Sequence, residues 1–276
     1  MRQEHIWDAD AARRYDTPGT GVFAPEVLGP TVDRLAELAG GGQALELAIG
    51  TGRVAIPLAE RGVPVTGVEL STAMVDVLRT KVDEAAIPVV VGDMATAHVP
   101  GRFTLVYLVY NTISNLLTQA EQVACFRNAA RHLMPGGRFV IELWVPELRT
   151  LPPGQQATVF TAEPGYLGVD TDDVLEQRVV SHHVTFGEGE GREARISRSP
   201  HRYAWPSELD LMAQLAGASW RTGRRTGPAL PSPRSPGRTS RSTASLRHAD
   251  SGRDRRRADR RLLRLTSVAG RTPRRR

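Results

Sequence analysis

The sequence predicts an α/β fold built on a doubly wound, mainly parallel sheet, and three observations carry the prediction. Between Ala44 and Glu69 a short apolar run, a glycine turn (Gly50-Thr51-Gly52), a helical stretch and a second apolar run follow one another. Two strands joined by a helix in this way lie parallel, with a right-handed crossover. Apolar runs recur at 87–91, 103–109 and 138–143, separated by helical or turn-prone segments, and such alternation builds a sheet with helices on both faces. Finally, Glu69, Gly92-Asp93-Met94 and Asn111-Thr112 fall at the ends of these runs. Open α/β sheets take their ligands at the carboxyl ends of their strands.

Taken in order, residues 1–22 hold Trp7, Tyr15 and the turn-prone run Thr17-Pro18-Gly19-Thr20-Gly21. They read as a short helix and a loop, which either lies over a ligand or frays. Pro25 to Leu38 is helical, with Val27, Leu28, Val32, Leu35 and Leu38 on one side, and Gly40-Gly41-Gly42 stops it. Arg53 to Arg61 is the first crossover helix, ended by Gly62 and Pro64. Ser71 caps a helix to about Val82, with Met74, Val75 and Leu78 inward. Only a short spacer separates Gly92 from Phe103, so the next crossover helix is vestigial or absent. Thr118 and Glu121 form a capping box for a helix through Leu133. Pro135-Gly136-Gly137 turns into the fifth strand, Arg138 to Leu143. Residues 156–205 change character: Val174 to Phe186 is strand-like, Gly187 to Gly191 is a turn, and Arg192 to Tyr203 returns as its partner. Ser207 caps a last helix, Glu208 to Ala216.

Composition limits the function. The 276 residues are 40% hydrophobic, enough for a sizeable core, and no apolar run approaches a membrane span. A single cysteine, Cys125, excludes an internal disulfide and suits a reducing compartment; a soluble cytoplasmic protein is expected. The net charge of +6 hides an asymmetry. Residues 221–276 carry eighteen arginines against Asp250, Asp254 and Asp259, a net +15, which leaves −9 for residues 1–220. The tail lacks aromatic residues and has few large apolar ones, so it is expected to be disordered. Its arginine clusters suit non-specific nucleic-acid binding. Arginine, serine, proline and glycine without period are also what an out-of-frame reading of a GC-rich gene produces.

The Ala44–Glu69 unit suits a nucleoside. Only glycine takes positive φ freely and lets a ligand approach the backbone, a helix N-terminus offers bare N–H groups, and an acid about 20 residues on suits a ribose diol. Gly50-x-Gly52-x-x-Ala55 also fits the dinucleotide fingerprint, so an NAD-type oxidoreductase stays open at this point, as does a non-catalytic nucleic-acid-binding protein acting through its tail.

The ordered set resolves more than any single motif. Glu46-Leu47-Ala48-Ile49-Gly50-Thr51-Gly52 closes the first strand, Glu69 the second and Gly92-Asp93-Met94 the third, and Leu133-Met134-Pro135-Gly136-Gly137 precedes the fifth. Over about residues 24–146 this resembles the class I S-adenosylmethionine-dependent methyltransferases, whose sheet is Rossmann-like. The resemblance implies S-adenosylmethionine as cofactor and a small-molecule acceptor. It implies that Glu46 and the backbone of Ala48, Gly50 and Gly52 hold the methionine end, with Ala48 where the family often has glycine. Glu69 would accept from both ribose hydroxyls, Asp93 from the adenine amino group and Met94 N–H would donate to the ring, with Leu70 and Met74 sandwiching it. Asn111 and Thr112 would lie near the transferring methyl. A general base is needed only for an acceptor that keeps its proton; Glu142, Tyr110, His182 and His183 are candidates, and Asn111, Glu142 and His183 are the expected catalytic set. No metal site is expected.

The resemblance divides the chain into a cap segment (1–22), a cofactor-binding core (23–146), an antiparallel insert (147–206), a last core helix (207–220) and the tail (221–276). The insert looks like that of small-molecule methyltransferases acting on amino sugars, where it covers the active site or builds a homodimer. The family's sheet ends with two more strands, the last antiparallel; here the tail stands in their place, so the C-terminal sheet strands are expected to be missing.

Overall fold

The structure is a computed structural model that describes residues 6–19, 21–144, 151–187 and 193–217, and the backbone of 260–266. The elements are α1 (Ala9–Tyr15), α2 (Pro25–Ala39), β1 (Ala44–Leu47), α3 (Ala55–Glu60), β2 (Val65–Glu69), α4 (Thr72–Arg79), β3 (Val89–Val91), β4 (Phe103–Leu108), α5 (Gln119–His132), β5 (Leu133–Trp144), β6 (Ala157–Glu163), β7 (Tyr166–Asp173), β8 (Arg178–Phe186), β9 (Ala194–Arg202), α6 (Pro206–Leu215) and β10 (Arg260–Thr266). The main sheet runs β10-β5-β4-β1-β2-β3, parallel except for β10. No helix joins β3 to β4.

Alternation along the strands sends side chains to two apolar layers. Leu45, Leu47, Val106, Leu108 and Ile141 pack with Phe126 and Ala129 of α5 and Leu209 and Met212 of α6. Ala44, Leu105, Tyr107 and Val140 pack with Leu35 and Leu38 of α2, Leu58 of α3 and Leu78 of α4. With both faces covered, β1 is buried throughout, as a central parallel strand must be. The caps form as their sequences dictate. Ser71 Oγ accepts from Met74 N–H at 3.2 Å. Thr118 and Glu121 close a reciprocal capping box: Thr118 Oγ1 accepts from Glu121 N–H, and Glu121 Oε2 accepts from Thr118 N–H at 2.8 Å.

Four expectations need correction. Ser207 does not cap α6; Trp205 holds the cap position and Pro206 the first turn, where a missing N–H costs nothing. Pro135-Gly136-Gly137 lies inside β5: the ladder pairs Phe103 with Leu133, then Leu105 with Arg138, and the residues between bulge out, with Gly136 at φ 79. The insert is a four-stranded antiparallel meander, β6-β7-β8-β9, and not a single hairpin. Its first pair gives no clear signal in the sequence, because ATVFTAE and YLGVDTDD are largely solvated and lack a clean alternation.

The fourth correction concerns the tail. Residues 260–266 are not disordered, and a C-terminal strand is present: β10 pairs antiparallel with β5 from Arg260↔Trp144 to Thr266↔Arg138. A shortage of large apolar side chains does not preclude this strand, because the pairing runs through the backbone. β5 would otherwise present an open edge of N–H and C=O groups, and such an edge templates a strand. The other tail residues, 221–259 and 267–276, lie outside the described residues.

Candidate functional site

A cavity of about 440 Å³ opens at the carboxyl ends of β1, β2, β3 and β4, within the usual range for small-molecule sites. Glycine and αL backbone shape its floor. After β1 the chain turns through Ala48 at φ 56, Gly50 at φ 57 and Gly52 at φ 85. A Cβ on Gly52 would meet Leu78 Cδ1 at 2.4 Å, so this glycine serves close packing of the loop on α4. Ala48 is an L-residue in the left-handed region, a conformation glycine adopts without cost.

Glu69, 6% exposed, reaches from the end of β2 into the cavity. Its Oε2 accepts from Gly50 N–H at 2.8 Å and its Oε1 from Ser71 N–H at 2.9 Å. Burial raises its carboxyl above the ordinary range, and the N–H groups of Ser71, Gly50 and Leu70 oppose the rise. Each oxygen has a second lone pair for a ligand hydroxyl. Beside it Leu70, Met74 and Met94 give an apolar wall, and Asp93 stands at the end of β3 with Oδ1 taking Ala95 N–H at 2.7 Å.

The N-terminal segment closes one side. Trp7, Tyr15 and Phe23 meet edge to face in sequence, and Trp7 and Tyr15 line the cavity. Polar ties hold the segment down. Trp7 C=O accepts from Ser71 Oγ at 2.6 Å, and Asp16 accepts from Thr51 Oγ1 at 2.6 Å and from Lys81 Nζ at 2.7 Å. Burial pushes the Tyr15 phenol up to about 12. Arg53 lies over the rings of Tyr110 and Phe23, 5.0 and 5.7 Å from their centroids.

The far wall follows β4. Tyr110 and Asn111 both take positive φ, 59 and 58, and a 3-10 turn, Thr112–Asn115, follows. Two αL residues in succession are strained and persist only where neighbours over-determine them. Here Glu142 Oε2 accepts from Tyr110 N–H at 3.0 Å, Asn111 N–H donates to Glu142 C=O at 3.1 Å, and Asn111 Oδ1 accepts from Trp144 N–H at 3.1 Å. Glu142 is 5% exposed, and its Oε1 has no partner among the described residues.

Thus Ala48, Gly50, Glu69, Leu70, Met74, Asp93 and Met94 line one cavity. Glu46, Gly52, Asn111, Glu142 and His183 do not line it. Glu46, within β1, is buried and accepts from Tyr107 OH at 2.8 Å. Glu142 clamps the strained turn. His183 sits in the insert, with Tyr166 OH 2.5 Å from its Nδ1 and Phe160 edge-on. His182 bonds Thr171 Oγ1 instead, as alternate strand positions require. Asn115, Leu116, Leu117 and Glu121 line the cavity without having been singled out as ligand contacts, since nothing in a polar loop and a capping box distinguishes them.

Comparison with known proteins agrees with this geometry. Residues 44–137 match the methyltransferase-domain family. The chain is 30% identical over 235 residues to a cypemycin N-terminal methyltransferase of Streptomyces sp, covering 79% of this chain and 88% of that protein. It is 31% identical over 153 residues to a dTDP-3-amino-3,6-dideoxy-alpha-D-glucopyranose N,N-dimethyltransferase of Streptomyces fradiae, covering 55% of this chain and 53% of that one. Its fold matches the CcbJ methyltransferase of Streptomyces caelestis with a TM-score of 0.70 at 30% identity, over 95% of this chain and 96% of that one.

Proposed function

Because the chain belongs to the class I S-adenosylmethionine-dependent methyltransferases, we propose that it methylates an amine nitrogen of a small-molecule or peptide acceptor. The observation that carries the cofactor half is Glu69: a buried carboxylate at the end of β2, fixed by two backbone N–H groups and facing the cavity with lone pairs to spare. That pair of acceptors fits the two hydroxyl donors of a ribose diol. Asp93 suits the adenine amino group, with Met94 N–H toward the ring and Leu70 and Met74 against its faces. The amine half rests on the relatives, whose names specify a peptide N-terminus and an amino sugar. No helix among the described residues is long and apolar enough to cross a membrane, and the buried Cys125 suits the cytoplasm.

When bound, the cofactor supplies an already electrophilic methyl group on a sulfonium. The residues therefore act by placement, which alone contributes roughly 7–11 kcal/mol where geometry is tight. Glu69, Asp93 and the loop from Ala48 to Gly52 orient one partner. The Trp7–Tyr15 segment keeps water out. Glu142 and Asn111 hold the turn at the methyl end. Calorimetry with S-adenosylhomocysteine and with NAD, followed by mass spectrometry of an amino-sugar nucleotide and a short peptide incubated with S-adenosylmethionine, tests the reading. Binding of the first and not the second, with methylation at nitrogen, is expected; tight NAD binding without the other, or methylation only at oxygen, would refute it.

A further inference from the structure

The 3-10 turn Thr112–Asn115 has two sides. Thr112 and Asn115 face the cofactor cavity, while Ser114 meets the insert, where its Oγ lies 3.3 Å from Nδ1 of His201. A serine hydroxyl has one proton to donate and two lone pairs. Ser114 Oγ lies 2.7 Å from Asn111 C=O, to which it donates, and it accepts from Asn111 Nδ2 at 2.9 Å. The remaining lone pair can only receive from His201, so Nδ1 of His201 carries the proton. Nε2 is left with a lone pair and has no hydrogen-bond partner among the described residues. Burial, aided by the neighbouring His183, pushes this imidazole down to about 4, so it is neutral at pH 7.

The register of the insert shows what surrounds it. Val179 pairs with both Asp172 and His201, Ser181 with Asp170 and Ser199, and His183 with Gly168 and Ser197. Directly paired residues share a face, so Asp170, Asp172, Ser181, His183 and His201 all lie on the face that meets the turn. Ser181 Oγ donates to Asp170 Oδ1 at 2.6 Å, and Oδ2 has no partner among the described residues. A fixed lone pair on the same face as two carboxylates is a receptor for N–H groups carrying positive charge.

We propose that this face of the insert is the acceptor subsite, in which Nε2 of His201 accepts a hydrogen bond from the reacting amine and Asp170 and Asp172 balance its charge. The assignment rests on the amine methyltransferase reading above and names the residues on its acceptor side. His201 orients the amine and is not its base. An acceptor arriving as ammonium gives one proton to water. The neutral amine's lone pair then forms the N–C bond as the C–S bond breaks with its electron pair left on sulfur, and the product departs as N-methylammonium beside the carboxylates.

The test uses the full chain and two analogues of S-adenosylhomocysteine in which nitrogen replaces sulfur, one carrying a 2-aminoethyl arm and the other an n-propyl arm. The wild-type protein is expected to bind the amine arm about tenfold tighter than the propyl arm. His201→Leu should erase that preference while leaving S-adenosylhomocysteine affinity within about twofold, and His201→Gln, which keeps an acceptor, should retain part of it. Nitrogen-15 spectra of the wild-type imidazole should show the proton on Nδ1 and a shift at Nε2 on adding the amine analogue. No preference for the amine arm, a preference surviving in His201→Leu, or a proton on Nε2 would each overturn the proposal. Failure of S-adenosylhomocysteine itself to bind would instead remove the methyltransferase reading on which it stands.

Discussion

At the residue scale, two buried glutamates at the ends of adjacent strands behave oppositely. Glu69 is held by backbone donors and faces the cavity. Glu69→Ala should weaken S-adenosylhomocysteine binding by about 1.5–3 kcal/mol, the range for hydrogen bonds to a charged group; calorimetry reads it, and an unchanged dissociation constant would refute the ribose role. Glu46 is 3% exposed and accepts from Tyr107 OH at 2.8 Å, with a backbone hydrogen bond from Ala55 beside it. Burial pushes its carboxyl from 4.5 up to about 8, against the pull of Tyr107 and Arg53. The folded state then binds the proton that the unfolded chain releases, so stability falls as pH rises through the window between those values. Glu46→Gln should flatten this slope and stabilise the protein at pH 8 by on the order of 3–5 kcal/mol, measured by urea unfolding at pH 5 and 8; a slope unchanged by the substitution would sink the argument. The place of Glu69, Leu70, Met74 and Asp93 at the cavity was legible because they fall at or just past strand ends, which the apolar runs locate. The sequence could not separate Glu46 from them, since only side-chain direction sends the Glu69 carboxylate into the cavity and the Glu46 carboxylate onto Tyr107 OH. His201 was illegible for a different reason: its meaning depends on the insert folding back on a turn some ninety residues earlier.

At the scale of elements, the core helices and strands were readable from period and caps, and the insert only in part. What docks the insert is a polar knot that no pattern announces. Arg202, at the end of β9, donates to Gln122 Oε1 of α5 at 2.6 Å, to Gln177 Oε1 at 3.1 Å and to Glu208 Oε1 of α6 at 2.6 Å. The two charged side chains are only 7% and 12% exposed. Burial alone would raise the Glu208 carboxyl, but hydrogen bonds from Gln177, Arg202 and Gln119 bring it below the ordinary range. Its contribution is therefore present above the unfolded value and lost as pH falls through the folded one. Arg202→Ala strands Glu208 and Gln122 and should cost about 3–5 kcal/mol. Arg202→Met with Glu208→Leu should cost much less, because no charge is left unpaired. Denaturant unfolding separates the two outcomes, and equal losses would show that the pair acts through packing alone.

At the scale of the whole molecule, the sheet is completed from the far end of the chain. β1, β2, β3, β4 and β5 are contiguous within residues 44–144, yet the partner of β5 comes from residues 260–266. Composition hid this strand. RRLLRLT sits in an arginine-rich stretch, and its structure is imposed by the edge it pairs with more than by its own propensity. The consequence is testable by ending the chain at Gly217. β5 carries Glu142 and Trp144, which clamp the αL turn that follows β4, so exposing its edge should loosen the site as well as the sheet. The ladder from Arg138 to Trp144 would be lost, a destabilisation on the order of 3–5 kcal/mol at roughly half to one kcal/mol per hydrogen bond. The bare edge should also promote self-association. Hydrogen exchange gives the direct measurement. In the full chain the β5 amides that face β10 should exchange slowly, and in the shortened chain they should exchange fast, while β1 amides, central between β2 and β4, stay protected in both. Equal protection of β5 in the two chains, with a monomeric shortened form, would show that residues 260–266 do not cover this edge.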